Sequence, residues 1–338
     1  MIKIYNYELI RKEPEKFQEI FNYIKKYGSH TMAYSTLQPR MNYFIVEGIG
    51  FIAYAKYKKT SNKRYVLGDP VCDFMKIEEI LKLFLERFPK TTFVQVSQPI
   101  SKILNNWKFY ATPLGIETSI DLNEFNISKG KKKNLRNNIR NCKGKVRVFE
   151  DTELEKISLN RIHEISEDWL KKEKKGKKEL RFLARPFVSI PEIGTRRFFA
   201  FKDDEMIGFI IFNPIYRNRE LIGYSSDILR TSSEAPRGTG DFLLYLSMKK
   251  LKREGIPILG LGLSPFYGLE KDSMDFSDKP TLFLLKQIYN KGSSLYSFSG
   301  LAEHKIQFEG KESNVYFCHR NSFPILDIYK LFRICNAI

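Results

Sequence analysis

Residues 221–263 constrain the fold of this chain more than any other stretch. Leu221 to Leu229 is a β-rich run, and the ten residues after Arg230 are rich in Ser, Gly and Pro. A helix is predicted from Asp241, because Leu244, Met248 and Leu251 repeat at i, i+4 and i+7 while Gly255 and Pro257 supply the stop. Ile256 to Leu263 then returns to strand. Strand, loop, helix and strand in this order predict a βαβ unit with parallel strands. Arg237, Gly238, Thr239 and Gly240 lie at its helix N-terminus, where backbone N–H groups and the positive end of the helix dipole could receive phosphate. The same glycines also suit a tight turn that binds nothing.

The elements before this unit come in two similar series. A helix over Pro14 to Tyr27 precedes strand-like runs at Asn42 to Val46, Gly50 to Tyr57 and Arg64 to Leu67, closed by the turn Gly68-Asp69-Pro70. A helix over Ile77 to Phe88, a strand over Thr92 to Val96 and a helix over Ile100 to Trp107 complete a first half ending near Leu122. The second half repeats the order with Val146 to Phe149, a helix over Glu153 to Lys171, and strands at Arg197 to Lys202, Met206 to Asn213 and Glu220 to Leu229. Beyond the βαβ unit, a helix is expected over Thr281 to Asn290, strands over Ser294 to Phe298 and Asn314 to His319, and a last helix over Pro324 to Cys335. Its Asp327, Lys330 and Arg333 at three-residue spacing favour packing on the core over lying on a membrane. The expected class is α+β, with halves at 1–128 and 146–338 joined by a basic helix at 129–145.

That connecting segment carries nine Lys or Arg and no acid between Lys129 and Arg147. Leu135 and Ile139 form its apolar pair, and Lys132, Arg136 and Arg140 an adjacent stripe. The stripe fits a helix that tracks phosphates, and equally a solvated linker. Residues 171–185 carry eight more Lys or Arg against two Glu. The formal net charge of +18 points to a polyanionic partner, either nucleic acid or an anionic membrane surface, although a Lys-, Asn- and Ile-rich composition accounts for part of it.

The apolar runs are strand-sized, shorter than the roughly 20 residues that cross a bilayer, and the N-terminus lacks a signal-peptide core. A cytoplasmic chain is expected, one whose basic surface can meet the inner face of the membrane. Cys72, Cys142, Cys318 and Cys335 have no CxxC spacing and read as reduced thiols. His30, His163, His304 and His319 show no paired-ligand spacing, and no metal site is expected.

The stretch around Gly238 resembles the acetyltransferase-type (GNAT) fold, in which a splayed strand, a pyrophosphate loop and a helix form the acyl-donor site. Ala235 stands where that loop usually has Gln or Arg. The whole chain is similar to the catalytic domain of phosphatidylglycerol lysyltransferases, two GNAT-like halves in tandem. The resemblance is carried in matching order by Gly68-Asp69-Pro70, the Lys132 to Gly144 helix, Asp227-Ile228-Leu229-Arg230, Ala235-Pro236 with Gly238, Leu261-Gly262-Leu263-Ser264-Pro265, and Tyr296 to Lys305.

The resemblance implies transfer of an amino acid from aminoacyl-tRNA, a co-substrate rather than a cofactor, to phosphatidylglycerol or a soluble acceptor. Lys305 falls on the family's late lysine and Arg230 on the arginine after its splayed strand, which implies contact with the terminal adenosine or phosphate and stabilisation of the oxyanion. Asp227 is a candidate for the donor's α-ammonium, and His304 for a proton carrier. Asp69 and Ser264 become candidates for substrate binding. His304 and Lys305 are expected in a loop or strand, and Asp227 with Arg230 could also be an ion pair beside a turn. No Gly-x-Ser-x-Gly elbow is present, so direct attack on a bound ester is favoured over a covalent intermediate. Two further readings stand: transfer from a coenzyme A thioester, and a silent binder of RNA or anionic membrane.

Overall fold

The computed structural model describes residues 1–173, 179–271, 276–291 and 298–338. The chain starts with β1 (Ile2–Asn6), α1 (Tyr7–Lys12), α2 (Pro14–Tyr27) and the short α3 (Met32–Ser35). Strands β2 (Asn42–Val46), β3 (Gly50–Ala55), β4 (Arg64–Leu67) and β5 (Val71–Cys72) follow. The first half closes with α4 (Ile77–Arg87), β6 (Thr91–Ser97), α5 (Gln98–Asn106) and β7 (Tyr110–Asp121). After the basic α6 (Lys133–Cys142) come β8 (Arg147–Glu150), α7 (Leu159–Glu173), β9 (Arg196–Lys202), β10 (Glu205–Arg217) and β11 (Glu220–Thr231). The rest is α8 (Thr239–Arg253), β12 (Ile258–Pro265), α9 (Lys279–Lys291), α10 (Phe298–Ile306), β13 (Lys311–His319) and α11 (Ile325–Ile334).

The amphipathic periods explain the helices. In α2, Ile20, Phe21 and Ile24 are buried, Pro14 sits in the first turn, where no N–H is needed, and Gly28 ends the helix. In α8 the predicted Leu244, Met248 and Leu251 are buried, and the helix joins β11 to β12, which run parallel as expected.

Three strands were not legible as strands, among them the two-residue β5, which pairs with β3. β1 pairs with β2, and β7 lies in the middle of the sheet despite its Pro113 and Gly115. Gly115 has φ of +152°, and a Cβ there would lie 2.3 Å from the Ser264 carbonyl oxygen, so glycine lets β12 approach. Ser294–Ser297 of the expected strand at 294–298 lie outside the described residues, and Phe298 begins α10 instead.

Among the described residues the strands form one sheet in the order β1-β2-β3-β4-β6-β13-β7-β12-β11-β10-β9-β8, with β5 beside β3. Each half receives a strand from the other. β13 inserts between β6 and β7 of the first half, while β7 separates β12 from β13. The two series of elements therefore share their central strands, and neither half's sheet is completed by its own residues. No helix among the described residues is long and apolar enough to cross a membrane.

Candidate active site

β11 and β12 pair only from Gly223–Ile258 to Ser225–Gly260. Beyond Ser225 and Gly260 both strands continue but diverge, because Gly260 to Gly262 shifts register against β7. A cavity of about 710 Å³ lies along this opening. Its wall contains Asp227 and Arg230 from β11, Gly262 and Leu263 from β12, Gly238 and Gly240 from the start of α8, and His304 and Lys305 from α10. Six of the residues singled out in the sequence therefore meet in one place. Asp69, Ser264, Arg237, Thr239, Lys132, Arg136 and Arg140 do not line it.

Lys305 lies on a helix, not on the expected loop or strand, and is buried at 7 % exposure. Its Nζ donates to the Leu263 carbonyl oxygen at 2.7 Å. Loss of hydration lowers this amine from 10.5 to about 7, with the Glu117 charge opposing the change. The neutral and charged forms are then both populated near neutral pH, which suits proton transfer better than a permanent cation does.

Asp227 and Arg230 are not paired with each other, contrary to the simplest expectation. The Asp227 side chain is buried, 4.0 Å from Arg185 Nη1, and desolvation pushes its carboxyl up to about 6 against the pull of Arg185 and a hydrogen bond from Asn213. Arg230 donates to Glu179 Oε1 at 2.5 Å and to the Ser166 hydroxyl, with its guanidinium against the rings of Trp169 at 5.1 Å and Phe187 at 5.2 Å. Two of its nitrogens are thus committed to protein acceptors, so it shapes the wall instead of presenting a free cation.

His304 meets Asp241, a residue that looked like an ordinary helix-start acid. Its Nδ1 lies 3.0 Å from Asp241 Oδ1, and the same carboxylate accepts from Gln307 Nε2 at 2.8 Å and Asn138 Nδ2 at 2.6 Å. Asp241 sits in the first turn of α8, where the helix dipole favours a negative charge. This fixes Nδ1 toward Asp241 and leaves Nε2 as the ring's working nitrogen.

Gly238 satisfies the tight-turn reading. Its φ is +92°, and a Cβ would come within 2.6 Å of Asn138 Cβ, because α6 packs directly on the loop. The Thr239 hydroxyl is buried on the Pro236 carbonyl oxygen at 2.7 Å, and Arg237 is exposed. α6 thus packs on the Cβ side of Gly238, while Gly238 and Gly240 still line the cavity.

Lys132 also departs from expectation. It precedes α6, is buried, and its Nζ is 2.5 Å from Glu309 Oε2, so it ties this segment to the turn between α10 and β13 instead of facing phosphate. Arg136 is half-buried and donates to the Ile127 carbonyl oxygen at 3.1 Å, whereas Arg140 is exposed. Exposed positive charge here comes from Lys129, Lys131, Lys133, Arg140, Lys143 and Lys145. Asp69 Oδ1 accepts from the Ser97 amide at 2.8 Å, a structural tie, and Ser264 is buried between two cavity residues. In the basic 171–185 stretch, residues 174–178 lie outside the described residues, while Arg181 donates to the Ile334 carbonyl oxygen at 2.8 Å.

Comparison with known proteins bears on the family and the fold. Residues 21–319 match the family model for the C-terminal region of phosphatidylglycerol lysyltransferase. A curated phosphatidylglycerol lysyltransferase of Bacillus subtilis is 23 % identical over 92 % of this chain and 36 % of its own length. The chain spans about a third of the length of the curated relatives it matches. The structure of L-PGS from Bacillus licheniformis superposes with a TM-score of 0.75 at 20 % identity, covering 94 % of this chain and 96 % of that one. The C-terminal domain of a putative lysylphosphatidylglycerol synthetase from Agrobacterium fabrum gives a TM-score of 0.75 at 21 % identity, covering 96 % and 98 %. The chain shares the α+β fold of these structures and belongs to the phosphatidylglycerol lysyltransferase C-terminal family.

Proposed function

We propose that this chain transfers an aminoacyl group from aminoacyl-tRNA to a hydroxyl of phosphatidylglycerol. The observation that carries the reading is the buried Lys305 amine on the wall of a cavity opened by the divergence of β11 and β12, in a chain of this family. Neutral Lys305 takes the proton of the acceptor hydroxyl as its oxygen attacks the ester carbonyl. A tetrahedral intermediate forms, the bond to the tRNA ribose oxygen breaks, and the Lys305 ammonium returns the proton to that oxygen. His304, whose Nδ1 faces Asp241, presents Nε2 as a hydrogen-bond acceptor that can orient the attacking hydroxyl. Asp227 is the nearest carboxylate on the β11 wall for the donor's α-ammonium.

The cavity also supports two substrates of unlike character. Its polar wall faces the helix starts, and Leu285, Ile328, Leu331 and Phe332 line another part of it with apolar surface suited to lipid chains. The exposed cations of 129–145 are the surface proposed for tRNA, by contacts that read charge and not sequence. The work is proposed to take place at the inner face of the membrane. No separate cofactor is proposed, because the donor is an activated ester.

Donor competition tests this reading. With phosphatidylglycerol vesicles present, charged tRNA should be discharged faster than its spontaneous hydrolysis, and acyl-coenzyme A should release no thiol. Thiol release with intact charged tRNA would move the chain to thioester chemistry.

A further inference from the structure

The outer faces of α9 and α11 carry large apolar side chains in water. Phe283 is 64 % exposed and Leu326 68 %, with Phe276, Phe323, Ile325 and Tyr329 also exposed. They belong to one neighbourhood, because Asp278, just before α9, accepts from the Thr281 amide at 3.1 Å and from the Phe323 amide at 2.9 Å and Ser322 Oγ at 2.7 Å in the turn before α11. The same helices turn their other faces inward. Leu285 of α9 and Ile328 and Leu331 of α11 are buried and border the cavity. Phe283 is two residues from Leu285, and Tyr329 is one from Ile328, so at about 100° per residue the exposed side chains lie away from the cavity-lining ones. The packing expected of α11 from its charged spacing thus describes only its inner face.

Exposed cations neighbour these apolar side chains in sequence. Lys279, Arg320 and Arg333 are all exposed, and the described acids nearest in sequence, Asp278 and Asp327, are buried. Asp278 is used up by the bonds above and Asp327 is bound by Lys63 at 2.6 Å. Apolar side chains with neighbouring cations, and no exposed acid among the described residues of these segments, complement an anionic bilayer surface, into which apolar side chains insert while cations meet headgroup phosphates.

We propose that the outer faces of α9 and α11 dock this chain on an anionic bilayer, with the apolar side of the cavity next to the lipid. This deepens the proposed function by giving the lipid acceptor a route of entry, but the docking itself requires no turnover.

Flotation of the full chain with phosphatidylcholine vesicles, with and without phosphatidylglycerol, tests it. Wild type should bind the anionic vesicles and be released by salt. The double variant Phe283→Ser with Leu326→Ser should lose at least about tenfold in partitioning, from the loss of two inserted side chains. Its melting temperature should match wild type, because both positions are exposed. Arg320→Ala with Arg333→Ala should weaken binding to the anionic vesicles alone. Unchanged partitioning in both double variants would overturn the proposal. So would sedimentation showing that wild type is a dimer dissolved by the Phe283/Leu326 variant while its vesicle binding is intact. Transfer to detergent-dispersed phosphatidylglycerol separates this proposal from the catalytic one: a docking variant keeps it, and a chain that is no transferase lacks it with or without the patch.

Discussion

Lys305 Nζ lies 2.7 Å from the carbonyl oxygen of Leu263, so α10 and β12 are joined across the cavity wall by a buried amine. Its ordinary value of 10.5 falls to about 7 in the fold. Between those values the unfolded chain holds a proton that the fold has released, so stability rises with pH across this window and the burial cost is greatest below about pH 7. Lys305→Met should therefore exceed wild type in melting temperature at about pH 6 and lose that advantage toward pH 10, as read by calorimetry. Equal differences at both pH values would mean that Lys305 is not desolvated in solution.

The same residue makes a kinetic prediction. In wild type kcat should rise with pH through about 7 and then level, as a base loses its proton. Lys305→Met should lower kcat by about 10²-fold or more and flatten that profile, while binding of tRNA changes little. A folded Lys305→Met protein with wild-type kcat would remove the residue from the mechanism.

Gly238 holds a left-handed conformation under α6. Gly238→Ala should cost at least about 1–2 kcal/mol from the backbone conformation, and more from displacing Asn138. Urea titration reads this directly, and an unchanged midpoint would contradict the close approach of α6 to the loop.

The basic segment divides into two kinds of cation. Lys133→Ala, Arg140→Ala and Lys143→Ala together should leave the melting temperature near wild type while weakening tRNA binding, with the slope of log affinity against log salt reduced by roughly 0.7–0.9 for each lost phosphate contact. Lys132→Ala should instead lower the melting temperature, because it removes the buried tie between this segment and Glu309. Filter binding across a salt series, with calorimetry alongside, separates the two, and a stable Lys132→Ala protein with lost tRNA binding would reverse the assignment.

Local pattern made much of this architecture legible. The apolar period of α8, its stop at Gly255 and the β-rich runs around it led to the parallel βαβ unit, and therefore to the neighbourhood of the cavity. Lys305 and Arg230 were reached through resemblance, not through residue chemistry. Strand β7 is not legible locally because Pro113 and Gly115 interrupt its pattern, and its pairing depends on Ser264 and Val315, far along the chain. The exchange of β7 and β13 has no local signature at all. The electrostatic partners were hidden for the same reason: Asp227 is balanced by Arg185 and Arg230 by Glu179, both from the basic 171–185 stretch. Lys132 misled because an i, i+4 stripe records spacing and says nothing of a carboxylate such as Glu309 arriving from elsewhere.

The most direct test is transfer itself. Purified chain would be incubated with a full pool of tRNA charged with labelled amino acids and with phosphatidylglycerol vesicles, and the organic phase analysed for label. The account predicts an aminoacylated lipid that accumulates over many turnovers and is reduced by about 10²-fold with Lys305→Met. Label that stays on tRNA, at the rate of spontaneous hydrolysis and with nothing in the organic phase, would contradict it.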